Sequence, residues 1–228
     1  MPRSKISIGN REMQILDFII RDYIKCGLPV SSGRIHEKTD IEAAPATIRN
    51  IMSELDEDGF LEQPHISGGR VPTDKAYRYF VDYLMEVKES DEIKEMDDGD
   101  LFEEINKTIS KATKLFTLTA DFGVKKQLNF WGARRLLDEP EFADDGLLRS
   151  FAGLFDNLYE IADVYRRQFE DETIFIGKEN PLKETRMMSV VGGKIKNKVK
   201  KKDAVVLIIG PRRMNYEYNY SILRYFLK

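Results

Sequence analysis

Apolar positions in the first part of the chain recur at helical intervals and then give way to turn residues. Ile15, Leu16, Ile19, Ile20, Tyr23 and Ile24 form one face of a predicted helix over about residues 11–25. Asn10 can cap its start, and Gly27 and Pro29 close it. Ser31 or Ser32 can cap a short second helix through Arg34 to Lys38. Pro45 opens a third helix, in which Ile48, Ile51, Met52 and Leu55 stand at i, i+3, i+4 and i+7, and Gly59 ends it. Residues 60–63 predict a short strand, and residues 64–72 a glycine-tipped hairpin with Arg70 near its tip. Thr73 then caps a predicted long helix from Asp74 to about Lys88, with Tyr77, Phe80, Val81, Leu84 and Met85 at helical spacing.

The second part reads differently. Residues 86–104 are rich in acid and contain Gly99, the composition of a solvated linker running into a helix. Leu101, Ile105 and Ile109 mark a helix to Lys114, and residues 115–119 a strand. Residues 147–169 predict one long amphipathic helix, residues 173–177 and 187–191 two strands, and residues 219–227 a closing helix. The run Asp203 to Gly210 is apolar throughout, as in a strand covered on both faces. Between the last two strands, lysines alternate with Ile195, Asn197 and Val199. That pattern suits a half-exposed edge strand protected by its charges, or alternatively a sequence-independent phosphate contact.

At 228 residues, 42% of them hydrophobic, the chain can hold two modest domains. No apolar run approaches a membrane span, and the first residues lack the apolar stretch of a secretory signal. Cys26 is the one cysteine, which excludes an intramolecular disulfide and fits a reducing cytoplasm. His36 and His65 are the two histidines, with no second ligand at metal spacing, so no metal site is expected. Gly192-Gly193-Lys194 lacks the earlier glycine and the hydroxyl residue of a phosphate loop. No catalytic constellation emerges, and neither an enzyme nor a cofactor is expected.

The third helix carries the chemistry. Opposite its buried stripe lie Ala46, Asn50 and Ser53, with Thr47 and Arg49 on the shoulders: small, hydrogen-bonding and guanidinium groups suited to a major groove. Helix followed by hairpin is the outline of a winged helix-turn-helix. That outline serves a structural or protein-binding module as well as a DNA reader. A net charge of −3 supplies no bulk attraction to phosphate, so local cations must do so: Arg34, Arg49 and Arg70, with Lys38 and Lys75 nearby. The acids between Glu54 and Asp58 should face away from a duplex.

Five stretches resemble the bacterial heat-inducible transcription repressor HrcA family: residues 11–32, the long block PATIRNIMSELDEDGFLEQPHISGGRVPTDKAYRYFVDYL, then LLDEPEF, IGKENPL and IIGPRRMNYEY. Together they span most of the chain, from residue 11 to residue 218, except the acidic middle. The resemblance implies an α+β protein with an amino-terminal winged helix-turn-helix domain (residues 1–75). A linking helix and acidic linker follow (76–100), and then a reduced GAF-like α/β domain as dimerisation body (101–228). It implies a cytoplasmic homodimeric repressor of chaperone genes, bound to double-stranded DNA at an inverted-repeat operator and released on heat stress, with the chaperonin as a further partner and no membrane association. Thr47, Arg49, Asn50, Ser53, Arg34, His65 and Arg70 are then the DNA-contacting candidates. The alternative is a winged-helix ligand-sensing or protein-interaction module that does not bind an operator. Two departures stand out. Ala44 occupies the position where relatives usually carry a serine or similar capping residue, and losing the cap costs a helix about 0.5–2 kcal/mol. The chain also passes at once from its first body strand to Leu128, so much of the family's central part is missing and this reads as a shortened member.

Overall fold

The computed structural model describes residues 8–64, 68–87, 101–123, 126–195 and 204–227. They divide into two compact units, Met1–Met85 and Glu86–Lys228.

In the first unit, helix α1 (Asn10–Cys26) buries Ile15, Leu16, Ile19 and Ile20. Its cap is Gly9 rather than Asn10, because the Glu12 carboxylate reaches back to accept from the Gly9 N–H at 2.7 Å. Ser31 caps α2 (Ser32–Lys38), its hydroxyl accepting from the Arg34 N–H at 3.2 Å. Helix α3 (Pro45–Glu57) starts from Ala44, which is extended (φ −65°, ψ 152°) and offers no side-chain cap. Past its end Gly59 takes φ 75°, a left-handed turn that suits a residue without a Cβ. Strands β1 (Leu61–Glu62) and β2 (Val71–Pro72) then pair antiparallel.

Thr73 caps α4 (Asp74–Tyr79), its hydroxyl accepting from the Ala76 N–H. The expected long helix is shorter than its apolar spacing suggests. After Tyr79 the backbone widens into a π-helical turn, Phe80–Leu84, and Met85 is already extended. The wider turn keeps Phe80 buried with the Arg21 guanidinium 5.0 Å over its ring, while Arg21 also donates to the Leu84 carbonyl. Helix-end carbonyls are thereby satisfied within the first unit.

The second unit is built on a five-stranded antiparallel sheet. Its strands are β3 (Phe116–Asp121), β4 (Gln127–Trp131), β5 (Thr173–Ile176), β6 (Met188–Ile195) and β7 (Ala204–Pro211), in the order β4-β3-β7-β6-β5. Helix α5 (Leu101–Thr113) precedes β3, α6 (Ala133–Leu137), α7 (Asp145–Leu154) and α8 (Leu158–Gln168) lie between β4 and β5, and α9 (Tyr216–Leu227) follows β7. Strands β3 and β4 pair antiparallel, Thr117 opposite Trp131 and Asp121 opposite Gln127.

Alternation along the strands assigns the two faces. Phe116 meets Phe151 of α7 at 5.4 Å and Phe175 meets Tyr165 of α8 at 5.5 Å, so these helices cover one face. Thr119 reaches the Phe102 carbonyl of α5, and Ser189 meets the Tyr216 hydroxyl of α9 at 2.8 Å, on the other. Strand β7, central and buried along its whole length, has the double cover its apolar run calls for. The helix expected over 147–169 is two. It breaks at residues 155–157, where Asn157 leaves the helical region (φ −148°, ψ 46°) and Phe155 packs against Phe116 and Phe151. The lysine-rich stretch lies outside the described residues beyond Ile195, as do the acidic linker from residue 88 and His65.

Candidate nucleic-acid interface

Helix α3 is amphipathic in the sense its sequence dictates. Ile48, Met52 and Leu55 are buried beneath it, while Thr47, Arg49 and Asn50 are exposed and Ser53 is half-buried. The Ser53 hydroxyl donates to the Arg49 carbonyl at 3.1 Å, which turns it along the helix and leaves its lone pairs available. No other side chain engages the Arg49 guanidinium or the Asn50 amide among the described residues. Both therefore point to solvent with their donors unspent.

Of the other expected cations, Arg34, Arg70 and Lys75 are held, while Lys38 is exposed. Two hydrogen bonds run from Arg34 to Asp22, Nε to Oδ2 at 2.6 Å and Nη2 to Oδ1 at 2.8 Å, a forked grip. Those bonds keep the Asp22 carboxyl below the usual carboxylate range, and they raise the Arg34 pKa in return. Lys75 donates to the Asp58 carbonyl and sits 4.2 Å over the Phe60 ring. His36 places Nδ1 3.2 Å from the Ala43 carbonyl, which pins the turn between α2 and α3.

Arg70 is displaced from the hairpin tip, where the sequence suggested it, to the base beside β2. Its N–H and carbonyl pair with those of Val30 at 2.9 Å in both directions. This third backbone segment fits because Gly69 lies so close to Pro29 that a Cβ would fall 2.8 Å from its carbonyl carbon. The guanidinium then turns back onto α3, with Nε 2.7 Å from Asp56 Oδ2, an ion pair rather than an aligned hydrogen bond. Of the acids near the end of α3, Asp56 holds Arg70, and Glu54, Glu57 and Asp58 are exposed. Sequence reasoning found the arginines and missed the carboxylates that hold two of them. Asp22 and Asp56 carry no local signal, because each meets its arginine only once the chain has turned.

Among the described residues no group of three or more His, Cys, Asp or Glu side chains is arranged to hold a metal ion. Nor is any helix among them long and apolar enough to cross a membrane.

A family model described as HrcA protein C terminal domain matches residues 74–218. A heat-inducible transcription repressor HrcA from Thermodesulfovibrio yellowstonii is 26% identical over 325 aligned residues, spanning 92% of this chain and 93% of that protein. The alignment is longer than the chain, so the relative contains stretches with no counterpart here. The protein of the same name from Carboxydothermus hydrogenoformans is 45% identical over 118 residues, 47% of this chain and 35% of the relative. That from Chlorobium chlorochromatii is 54% identical over 82 residues, 36% and 24% respectively. Among solved structures, one described as a hypothetical protein at 2.2 Å resolution superposes with a TM-score of 0.75 at 20% identity, covering 97% of each chain. That last likeness concerns the fold alone.

Proposed function

The chain belongs to the HrcA family, and from that premise we propose that it is a heat-inducible transcription repressor whose first unit is a winged helix that reads DNA. It is a regulator and not an enzyme. The observation that carries the reading is α3 itself: Thr47, Arg49 and Asn50 stand exposed over a buried Ile48, Met52 and Leu55, with Arg49 and Asn50 unengaged among the described residues. These groups suit a major groove, where a guanidinium or amide can make two hydrogen bonds to one base edge. Ser53 adds a hydroxyl on the same arc. Arg34 and Arg70 contribute phosphate contacts by exchanging Asp22 and Asp56 for a backbone phosphate, a swap that conserves the charge-assisted pairing. His65, the remaining DNA-contacting candidate, lies outside the described residues.

The second unit, GAF-like in this reading, pairs two copies so that two α3 helices meet the half-sites of an inverted repeat. Release from the operator follows heating of the host, and the chaperonin is the partner expected to restore activity.

A gel-shift titration of the full chain against an inverted-repeat duplex and a scrambled one tests the reading. Arg49→Ala and Asn50→Ala should each weaken operator binding by about 1–3 kcal/mol, with scrambled DNA affected far less. Equal affinity of the unaltered chain for both duplexes would sink it.

A further inference from the structure

Helix α7 buries Leu147, Phe151 and Leu154 and turns a second apolar row outward. Leu148 and Phe155, the residue just past its end, are each 39% exposed, and Ala152 between them is exposed. Residues three and four apart share one side of a helix, so these three form a row. The Phe155 ring meets that of Phe130 at 5.6 Å, and Phe130, on the edge strand β4, is 45% exposed. The row thus continues from the helix onto the rim of the sheet. Contiguous apolar surface of this kind marks an interaction site.

The flanking charges say which partner it fits. Arg149 and Asp156 are exposed beside the row, and neither is engaged by another group among the described residues. The step from Arg149 to Asp156 equals the step from Leu148 to Phe155. Two copies of α7 laid antiparallel with Ala152 at the crossing therefore set Leu148 of one against Phe155 of the other. The same operation sets Arg149 against Asp156, twice by symmetry. Self-complementarity under a two-fold axis is the requirement of an isologous contact. The small side chain at the crossing lets the backbones approach.

We propose that this surface seats a second copy of the chain, α7 against α7, with Arg149–Asp156 pairs closing both ends. It names the contact on which the paired body of the repressor reading rests, in a chain shorter than the relative it matches over 92% of its length.

Sedimentation equilibrium of the full chain tests this with Arg149→Glu, Asp156→Arg and the double variant. Each single variant places like charges face to face and should raise the self-dissociation constant by roughly tenfold or more. The double variant, and an equimolar mixture of the two singles, restore opposite charges at both ends and should return to wild-type association. Both positions are exposed, so circular dichroism should show an unchanged fold. Single variants that associate like the wild type, or a double variant and mixture that stay apart, overturn this surface. If such a chain is still dimeric and still prefers the inverted repeat, the repressor reading survives without it. A wild-type chain that is monomeric at every concentration, with or without operator DNA, overturns both.

Discussion

Arg70 Nε lies 2.7 Å from Asp56 Oδ2, so the arginine beside β2 is joined to helix α3 through an acid near that helix's end. The pair fixes where the hairpin sits, and it also masks a cation that a duplex would attract.

Removing that mask should be visible in salt. Asp56→Asn leaves the Arg70 guanidinium free to neutralise a phosphate, which steepens the dependence of log affinity on log salt by about 0.9. Binding to a duplex of unrelated sequence over a salt series measures it. A slope equal to that of the unaltered chain would show that freeing Arg70 from Asp56 adds no phosphate contact.

Ala44 has the extended backbone of a helix cap and no group with which to cap. Ala44→Ser supplies an acceptor for the open N–H groups of the first turn of α3 and should stabilise the first unit by about 1 kcal/mol. Denaturant titration should show a higher midpoint at unchanged slope; an unmoved midpoint would mean those groups are already satisfied by solvent.

The Arg34 grip on Asp22 has a pH signature. Hydrogen bonding from Arg34 lowers the folded Asp22 pKa, whereas the unfolded carboxyl titrates at about 3.9. Stability from the pair is therefore present above about pH 4 and is lost as pH falls through the lower, folded value. Asp22→Asn should flatten that acid limb in urea titrations between about pH 2 and 5. An acid limb identical to that of the wild type would assign the loss to other carboxylates.

Tyr165 predicts the opposite limb. Its buried hydroxyl lies 2.7 Å from Asn180 Oδ1 and 2.8 Å from Thr185 Oγ1, sharing its proton between them, and burial pushes its pKa up. The unfolded phenol ionises near pH 10 (about 10), so stability from Tyr165 is complete below that pH and is lost as pH rises beyond it. Tyr165→Phe strands two buried acceptors. It should cost about 1–3 kcal/mol at neutral pH and shallow the alkaline limb. Unchanged stability in the phenylalanine variant would mean Asn180 and Thr185 find other donors.

Much of this was legible because short-range periodicity encodes it. The stripe Ile48, Met52 and Leu55 located α3 and, by subtraction, its exposed arc, and the unbroken run from Ala204 to Ile209 located a strand with cover on both sides. Periodicity failed where packing interrupts a regular pattern. Leu154, Leu158 and Ile161 keep helical spacing through a break that Phe155 makes by joining the aromatic cluster around Phe116. Phe80 and Leu84 likewise keep their spacing through a π-helical turn, because apolar spacing alone does not register one extra residue in a turn.

The amino-acid sequence by itself located most of the helices and strands, the side of α3 that meets solvent and the motifs that place the chain in its family, since each depends on residues within a few turns of one another. Only the tertiary structure decided which charges are spent. Arg34 and Arg70 are held by Asp22 and Asp56 while Arg49 is left free among the described residues, because an ion pair depends on distance in space, and the chain brings those partners together only when it folds.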